Sequence, residues 1–217
     1  MKTFLVGGAV RDYVLGFTAE DKDYVVVGST PQEMLGAGYS RVGADFPVFL
    51  QPVTGNEYAL ARTEEKTGEG YLGFDTRFSP DVTLDEDLER RDLTINSMAL
   101  CDDTVYAPNG GVQDCHDKVL RHTSPAFKDD PVRVLRLARF RARFGPDWTI
   151  ADETKDLVNF MAKKGVLDEL ASERVWKELS RALMEPHPRL FFDTLLECDA
   201  LHVLFPEVYR LKTALES

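Results

Sequence analysis

The chain has 217 residues, of which 43% are hydrophobic and 29% are charged, and its formal net charge is −11. These values are typical of a globular protein with one or two domains and a sizeable core, and the acidic balance argues against a general nucleic-acid coat protein. No apolar run approaches the length of a membrane span, and the N-terminal apolar segment is too short to predict a signal peptide, so no membrane association is expected.

The cysteines and histidines argue against a disulfide framework and against a structural zinc site. The cysteines are three in number and lie far apart, at positions 101, 115 and 198. Without an export signal, they are expected to be free thiols in a reducing cytoplasm. The four histidines have no metal-ligand spacing, so no zinc site is predicted. We expect a cytoplasmic protein, and a monomer.

The first part of the chain alternates strand and helix signals. A short apolar strand over residues 4–6 precedes Gly7-Gly8, and a helix over residues 10–15 follows and ends at Gly16. Residues 21–28 are predicted as a strand, and their continuous apolar run predicts burial on both faces. Pro31, with Ser29 or Thr30 as the cap, then predicts the start of a second helix.

Further strands are predicted at residues 48–50 and 57–61, joined as a hairpin across residues 54–56, and at residues 105–107. Thr83 and Glu86 have the spacing of a capping box, which predicts a helix from there toward Ala99. Residues 62–80 are rich in Gly, Glu, Thr and Asp and form too long a stretch for a tight turn, so we predict a mobile functional loop.

After residue 127 strand signals vanish and helical periodicity replaces them. Glycine and proline separate four predicted helices, which cover residues 131–144, 151–164, 172–184 and 189–198. The expected fold class is therefore α+β. A head with a small mixed β-sheet is predicted over residues 1–125, followed by an all-helical neck over residues 126–217.

Asp21 and Asp23 are the first candidate chemical groups. Alternate residues of a strand share one face and lie roughly 6.6–7 Å apart at their Cα atoms. Two carboxylates on one face can bind Mg²⁺, which prefers oxygen ligands and can activate a hydroxyl and stabilise a departing phosphate. On its own, however, such a pair more often marks a solvated strand end.

The glycine pair Gly7-Gly8 is the second candidate. Glycines before a helix let backbone N–H groups approach phosphate oxygens, and Arg11, one turn further, can neutralise phosphate charge. A glycine pair alone is usually only a turn. Together with the two aspartates, it predicts a site for a nucleotide and a metal at one edge of a small sheet.

These residues resemble a known family. The run from Leu5 to Asp12, followed by Asp21-Lys22-Asp23, is similar to the signature of the DNA polymerase beta nucleotidyltransferase superfamily. More narrowly, it resembles class II tRNA nucleotidyltransferases (CCA-adding enzymes) and bacterial poly(A) polymerases. Residues 90–96, 129–140 and 173–179 resemble three later motifs of the same family, so the resemblance covers residues 1–210.

The resemblance implies specific roles for residues of this chain. Asp21 and Asp23 are the implied catalytic residues and ligands of Mg²⁺. The implied nucleotide-binding residues are Gly8, Arg11, Arg91, Asp92, Asp130, Arg133, Arg136 and Arg139. Glu57, on a neighbouring predicted strand, is a candidate for a third carboxylate near the metals or for a group that positions Arg11.

Asp130 and Arg133 have the spacing of neighbours on a helix surface, so they can present a carboxylate and a guanidinium side by side. Cytosine and adenine both offer an amino donor beside a ring-nitrogen acceptor, which this pair can match. Uracil and guanine show the reverse order, and each lost hydrogen bond would cost roughly 1–3 kcal/mol. Taken alone, the pair is more often an ordinary intrahelical ion pair.

The expected function is template-independent addition of C and A from CTP and ATP to the 3′ acceptor end of tRNA, with release of pyrophosphate. Poly(A) polymerase activity and partial CC-adding or A-adding activity are the enzyme alternatives. A catalytically inactive protein that binds RNA or nucleotides is the non-enzyme alternative. Longer relatives carry helical body and tail regions, so the chain is expected to be a short member that lacks most of them.

Overall fold

Two units follow one another along the chain in the computed structural model, which describes residues 1–19, 21–42, 48–66 and 74–215. We call Met1–Asp117 the head unit and Lys118–Ser217 the helical unit. The predicted boundary at residues 125 and 126 lies eight residues later than this division. The intervening residues group with the helical unit because the strand Val119–Leu120 pairs in parallel with Thr149–Ile150.

The head unit is built on a mixed sheet. Its strands are β1 (Lys2–Val6), β2 (Asp23–Val27), β3 (Ser40–Val42), β4 (Val48–Leu50), β5 (Glu57–Leu60), β6 (Arg62–Lys66), β7 (Phe74–Phe78), β8 (Ala99–Cys101) and β9 (Thr104–Tyr106). Seven of them form one sheet in the order β3-β4-β5-β2-β1-β8-β9, in which only β2 and β5 run parallel. The predicted hairpin between β4 and β5 is confirmed.

The helices of the head unit are short. They are α1 (Gly8–Val14), α2 (Pro31–Gly36), α3 (Leu84–Glu89), α4 (Gly111–Asp117) and a 3₁₀ turn at Thr94–Asn96. Both faces of the sheet are covered, because Val25 belongs to a core cluster with Val6 and Leu88 while Val26 packs with Met34 on the other face. The predicted burial of β2 on both faces is therefore confirmed.

Two predicted helix starts are confirmed in atomic detail. Thr30 and Glu33 form a capping box at the start of α2, and Thr83 and Glu86 form another at the start of α3. The predicted continuation of α3 toward Ala99 is wrong, because the helix ends at Glu89. The chain then turns through the 3₁₀ segment Thr94–Asn96 and enters β8.

The predicted loop over residues 62–80 is largely wrong where the structure describes it. Strands β6 and β7 pair as an antiparallel ribbon with Arg62 opposite Phe78 and Lys66 opposite Phe74. The strand Arg62–Lys66 contains no apolar residue and is mostly charged, so its sequence gave no strand signal. Residues 67–73 of the predicted loop lie outside the described residues, and mobility there stays a prediction.

The helical unit contains α5 (Val132–Phe144), α6 (Asp152–Lys163), α7 (Ser172–Leu183), α8 (Arg189–Glu197), α9 (Leu201–Leu204) and α10 (Pro206–Leu215). The four predicted helices are confirmed, and their bounds differ from the predicted ones by at most one residue. Helix α5 packs against α7 and α8, and its Leu135 is fully buried, as is Phe191 of α8. In the part of the chain that the structure describes, no helix has the length and apolar character needed to cross a membrane.

Candidate active site

The register of the sheet brings the first group of candidate residues to one edge of the head unit. Strands β1 and β2 are antiparallel, and Val6 at the end of β1 lies opposite Asp23 at the start of β2. Gly7-Gly8 therefore emerges beside the exposed side chain of Asp23. Asp21 is also exposed, but it precedes the strand, so the predicted start of β2 at residue 21 is two residues too early.

The electrostatic environment of Asp23 fits a hard cation. Partial burial raises the pKa of Asp23 above its ordinary 3.8; the charge of Arg91 opposes this effect, and the charge of Asp21 adds to it. A divalent cation would relieve the repulsion between two carboxylates, so the donor set suits Mg²⁺. Glu57 is the register partner of Asp23 on β5. Over the described residues, no three His, Cys, Asp or Glu side chains form a metal-binding cluster.

The glycine pair is needed because two guanidinium groups lie against it. Gly7 has a φ of 68°, and a Cβ atom there would lie 3.2 Å from Nη1 of Arg91. A Cβ atom on Gly8 would lie 3.3 Å from Nη2 of Arg11. Side chains at these two positions would therefore push against both arginines. The result is a turn whose backbone is not covered by side chains and which has two guanidinium groups beside it. Such a turn can bind a polyphosphate.

Arg11 is held in place by a network of polar side chains. It is only 3% exposed. Its Nε and Nη2 donate to Oδ1 of Asp12 at 2.9 and 2.8 Å, and its Nη1 donates to Oδ1 of Asn96 at 2.8 Å. Nδ2 of Asn96 in turn donates to Oδ1 of Asp92 at 3.0 Å. The structure thus places Asp92, a predicted nucleotide-binding residue, behind Arg11.

Arg91 is held by Asp87, a residue that the motif reading missed. Nε and Nη2 of Arg91 donate to Oδ2 of Asp87 at 3.3 and 2.9 Å. Arg90 donates to Oδ1 of the same carboxylate. The spacing of Asp87 to the two arginines, three and four residues along a predicted helix, is a signal that could have identified it.

The second group of candidate residues lies in the helical unit. Asp130 has an extended backbone, with φ −120° and ψ 100°, and precedes α5. The premise that Asp130 and Arg133 share a helix is therefore wrong. Instead, both carboxylate oxygens of Asp130 accept hydrogen bonds from Arg174, each at 2.9 Å. Arg133 is 9% exposed and donates from Nη1 to the carbonyl of Ala126 at 2.9 Å.

Arg139 is committed to contacts inside the helical unit. Its Nε donates to Oε2 of Glu178 at 2.6 Å, and its guanidinium carbon lies 4.8 Å from the ring centroid of Phe140. Arg139 is only 8% exposed. Arg136 is half-buried and lies 5.7 Å from the same ring centroid. Of these two predicted phosphate-binding residues, Arg136 is the more exposed, whereas Arg139 is buried.

Comparison with known proteins identifies both parts of the chain. Residues 3–121 match the model of the poly(A) polymerase head domain, and residues 147–211 match a model described as a probable RNA- and SrmB-binding site of polymerase A. A multifunctional CCA protein of Azoarcus sp. (strain BH72) is 56% identical over 212 residues, which are 97% of this chain and 51% of that protein.

Solved structures agree with the sequence matches. An apo form of a CCA-adding enzyme superposes with a TM-score of 0.80 at 30% identity, covering 94% of this chain and 50% of the other. A CCA-adding enzyme in complex with CTP gives a TM-score of 0.74 at 31% identity, covering 94% and 49% of the two chains. The predicted α+β fold is thereby confirmed. The chain spans about half the length of the relatives it matches.

Proposed function

Because the chain belongs to the family of poly(A) polymerase head domains, we propose that it adds C and A nucleotides to the 3′ end of tRNA without a nucleic-acid template, using CTP and ATP. The relative from Azoarcus is named a multifunctional CCA protein. Solved relatives have been captured with CTP, with ATP and with tRNA. These relatives favour CCA addition over the alternatives.

One observation carries the chemical part of the proposal. In the head unit, a carboxylate at a strand end, a bare glycine turn and two anchored guanidinium groups converge, as seen for Asp23, Gly7, Arg11 and Arg91. Such a set can bind a triphosphate while it holds a cation next to the phosphate that reacts. This combination of groups is not expected at a strand end that is merely exposed to solvent.

Asp21 and Asp23 are the residues that would hold Mg²⁺, with Glu57 next in register. Bound there, Mg²⁺ would lower the pKa of the RNA 3′-hydroxyl and stabilise negative charge on the departing pyrophosphate. In the reaction, the 3′ oxygen forms a bond to the α-phosphorus, and the bond from that phosphorus to the β-phosphate oxygen breaks. The hydroxyl proton is lost to solvent and pyrophosphate leaves.

The residues of the chain bind and orient the triphosphate. Arg11 and Arg91 lie against the glycine pair, and carboxylate or amide partners hold the rest of each guanidinium group. Because both side chains are fixed before the nucleotide arrives, less conformational entropy is lost on binding. Each charge-assisted contact to phosphate can contribute about 1.5–3 kcal/mol.

Asp130 and Arg133 are proposed to select the base. Arg174 donates to both oxygens of Asp130, and the backbone N–H of Val132 also donates to Oδ1 at 3.2 Å. Oδ2 accepts only one of these three bonds, so it can still accept from the amino group of cytosine or adenine. Arg133 can donate to the neighbouring ring nitrogen. Uracil and guanine place a carbonyl and a ring N–H in the opposite order, at a cost of roughly 1–3 kcal/mol per lost bond.

The direct test is incorporation into tRNA transcripts that end before, within and after the two C positions, with Mg²⁺ and each nucleotide. Sequential addition of C, C and A, followed by arrest, is the expected result. Long A tails would show a poly(A) polymerase, and addition of only C or only A would show a partial activity. Binding of CTP without incorporation would favour the non-catalytic alternative.

We also propose that the protein acts as a monomer in the cytoplasm. All three cysteines lie among the described residues and are free thiols. Burial raises the pKa of Cys115 to about 11 and that of Cys198 to about 12. Size-exclusion chromatography with light scattering would test the monomer, and fractionation of cells would test the location.

A further inference from the structure

Asp87 is a completely buried carboxylate in α3 of the head unit. Its Oδ1 accepts from Nη2 of Arg90 at 2.8 Å and from the backbone N–H of Arg62 at 3.3 Å. Its Oδ2 accepts from Nη2 of Arg91 at 2.9 Å. Burial alone would raise the pKa of Asp87, but the charges of Arg90 and Arg91 outweigh it and lower the pKa, so the carboxylate stays ionised.

The contact with Asp87 fixes the direction of the Arg91 guanidinium group. Because the group is planar, a carboxylate that binds the Nε and Nη2 edge leaves Nη1 pointing elsewhere. Nη1 lies 3.2 Å from the place that a Cβ atom on Gly7 would occupy.

We infer that Asp87 is a positioning residue for nucleotide binding, which holds Nη1 of Arg91 beside Gly7 so that it meets the triphosphate. This role rests on the proposed function, because it assigns Asp87 to the same phosphate site. The carboxylate of Asp87 also accepts a hydrogen bond from the backbone N–H of Arg62, the first residue of β6. Asp87 therefore links the β6–β7 ribbon to Arg91. Asp87 touches no substrate and acts through Arg91.

A buried carboxylate between two arginines also stabilises the fold, since removal of one member of a buried ion pair is strongly destabilising. A loss of activity in Asp87→Asn therefore cannot separate positioning from stability. A double-mutant cycle can separate them, because an effect transmitted through Arg91 disappears when Arg91 is already absent. General loosening of the fold would weaken binding in both backgrounds.

The test measures the dissociation constant of CTP, with Mg²⁺ and without RNA, by calorimetry on the full 217-residue chain. Four proteins form the cycle: the unchanged chain, Asp87→Asn, Arg91→Ala and the double variant. Asp85→Asn is the matched control, since Asp85 lies on the same helix but is exposed and binds only the hydroxyl of Tyr106 among the hydrogen bonds described. Thermal melting of each variant establishes that it is folded.

The expected result is a loss of about tenfold in CTP affinity for Asp87→Asn and no further loss when it is added to Arg91→Ala. Unchanged affinity in a folded Asp87→Asn protein would overturn the inference, and so would a full tenfold loss in the Arg91→Ala background. If Asp87→Asn does not fold, Asp87→Glu keeps the charge but displaces it, and an affinity equal to that of the unchanged chain overturns the inference.

The same experiment separates failure of the inference from failure of the proposed function. If the unchanged chain binds no CTP or ATP, the proposed function is wrong and the inference falls with it. If the unchanged chain binds CTP and only the coupling between Asp87 and Arg91 is missing, the proposed function stands and the positioning role is wrong.

Discussion

We propose that the head unit and the helical unit use the same kind of ion pair, between an aspartate and an arginine, for opposite purposes. In the head unit, the buried carboxylate of Asp87 holds Arg91, so the cation is the group that is presented. In the helical unit, Arg174 holds Asp130 through two hydrogen bonds, so the carboxylate is presented. A fixed cation suits a phosphate, whereas a fixed carboxylate suits the amino group of a neutral base. The two pairs also differ in burial, because Asp87 is completely buried beside Arg91, whereas the side chains of Asp130 and Arg174 are exposed to a similar extent, 24% and 21%.

Removal of a metal-binding carboxylate should have the largest effect. We expect Asp23→Ala to lower the rate of CMP incorporation by about 10³-fold or more, because several kcal/mol of charge stabilisation are lost. The melting temperature should change little, since the side chain is exposed. Single-turnover incorporation into a tRNA transcript measures the rate.

Asp103→Asn is the control for that change. Asp103 is also exposed and lies in the head unit, and its φ of 59° is one that asparagine tolerates. It should keep the full rate. Survival of more than a tenth of the rate in Asp23→Ala would contradict the proposed role of this carboxylate.

A methyl group at the glycine pair should have the next largest effect. In Gly8→Ala the new Cβ lies 3.3 Å from Nη2 of Arg11 and must displace the guanidinium group or the turn. We expect CTP and ATP affinities to fall together by about tenfold, because a small misplacement of a binding group is costly. Equilibrium binding of both nucleotides provides the measurement.

Gly36→Ala is the matched control, because Gly36 ends α2 and a Cβ atom there meets no atom within 4 Å. It should leave both affinities unchanged and raise the melting temperature slightly. Equal affinities in Gly8→Ala and Gly36→Ala would argue that Arg11 does not bind phosphate.

Loss of Arg174 should act on the choice of base. We expect Arg174→Gln to reduce the preference for CTP over UTP by about tenfold, because Asp130 loses the two bonds that orient it. Competition between the two nucleotides on one transcript measures the preference. Arg189→Gln, which removes an exposed arginine paired with Asp193 in the same unit, should leave it unchanged.

The smallest effect is expected in the pH dependence of unfolding without metal. Burial, opposed by Arg91 and assisted by Asp21, raises the pKa of Asp23 above 3.8, so the folded protein binds this proton more tightly than the unfolded chain does. That contribution to stability is complete below pH 3.8 and is lost as the pH rises through the raised pKa.

The free energy of unfolding should therefore fall, relative to that of Asp23→Asn, as the pH increases over this interval. Chemical denaturation of both proteins in EDTA measures the difference, and addition of Mg²⁺ at the upper end should restore stability to the unchanged chain only. Parallel pH profiles for the two proteins would argue that the environment of Asp23 does not favour its protonated form.

Much of the fold could be predicted from local sequence patterns. The capping boxes at Thr30 and Thr83 and the four helices of the helical unit depend on residues close in sequence. The strand Ala99–Cys101 was missed, because the helix predicted from Thr83 was extended up to Ala99, where this strand begins. Strand β6, which pairs with β7, was also missed, because most of its residues are charged and its sequence has no apolar periodicity.

The candidate site could likewise be predicted only in part. Gly8, Arg11, Asp21 and Asp23 lie within one short stretch, so local motifs were sufficient to select them. The partners that hold the site come from elsewhere in the chain. Asn96 is 85 residues from Arg11, and Arg174 is 44 residues from Asp130. Pairing over such separations depends on the tertiary structure, which the spacing of residues in one helix does not report.

We propose that the head unit binds phosphate and the helical unit selects the base. This separation can be tested by comparing two variants with two nucleotides. The efficiency of incorporation is measured for CTP and for UTP with Arg91→Ala and with Asp130→Asn. We predict that Arg91→Ala lowers both efficiencies by a similar factor and keeps their ratio, whereas Asp130→Asn brings the two efficiencies closer together. A change of ratio in Arg91→Ala as large as that in Asp130→Asn, or an unchanged ratio in Asp130→Asn, would contradict the separation of phosphate binding from base selection.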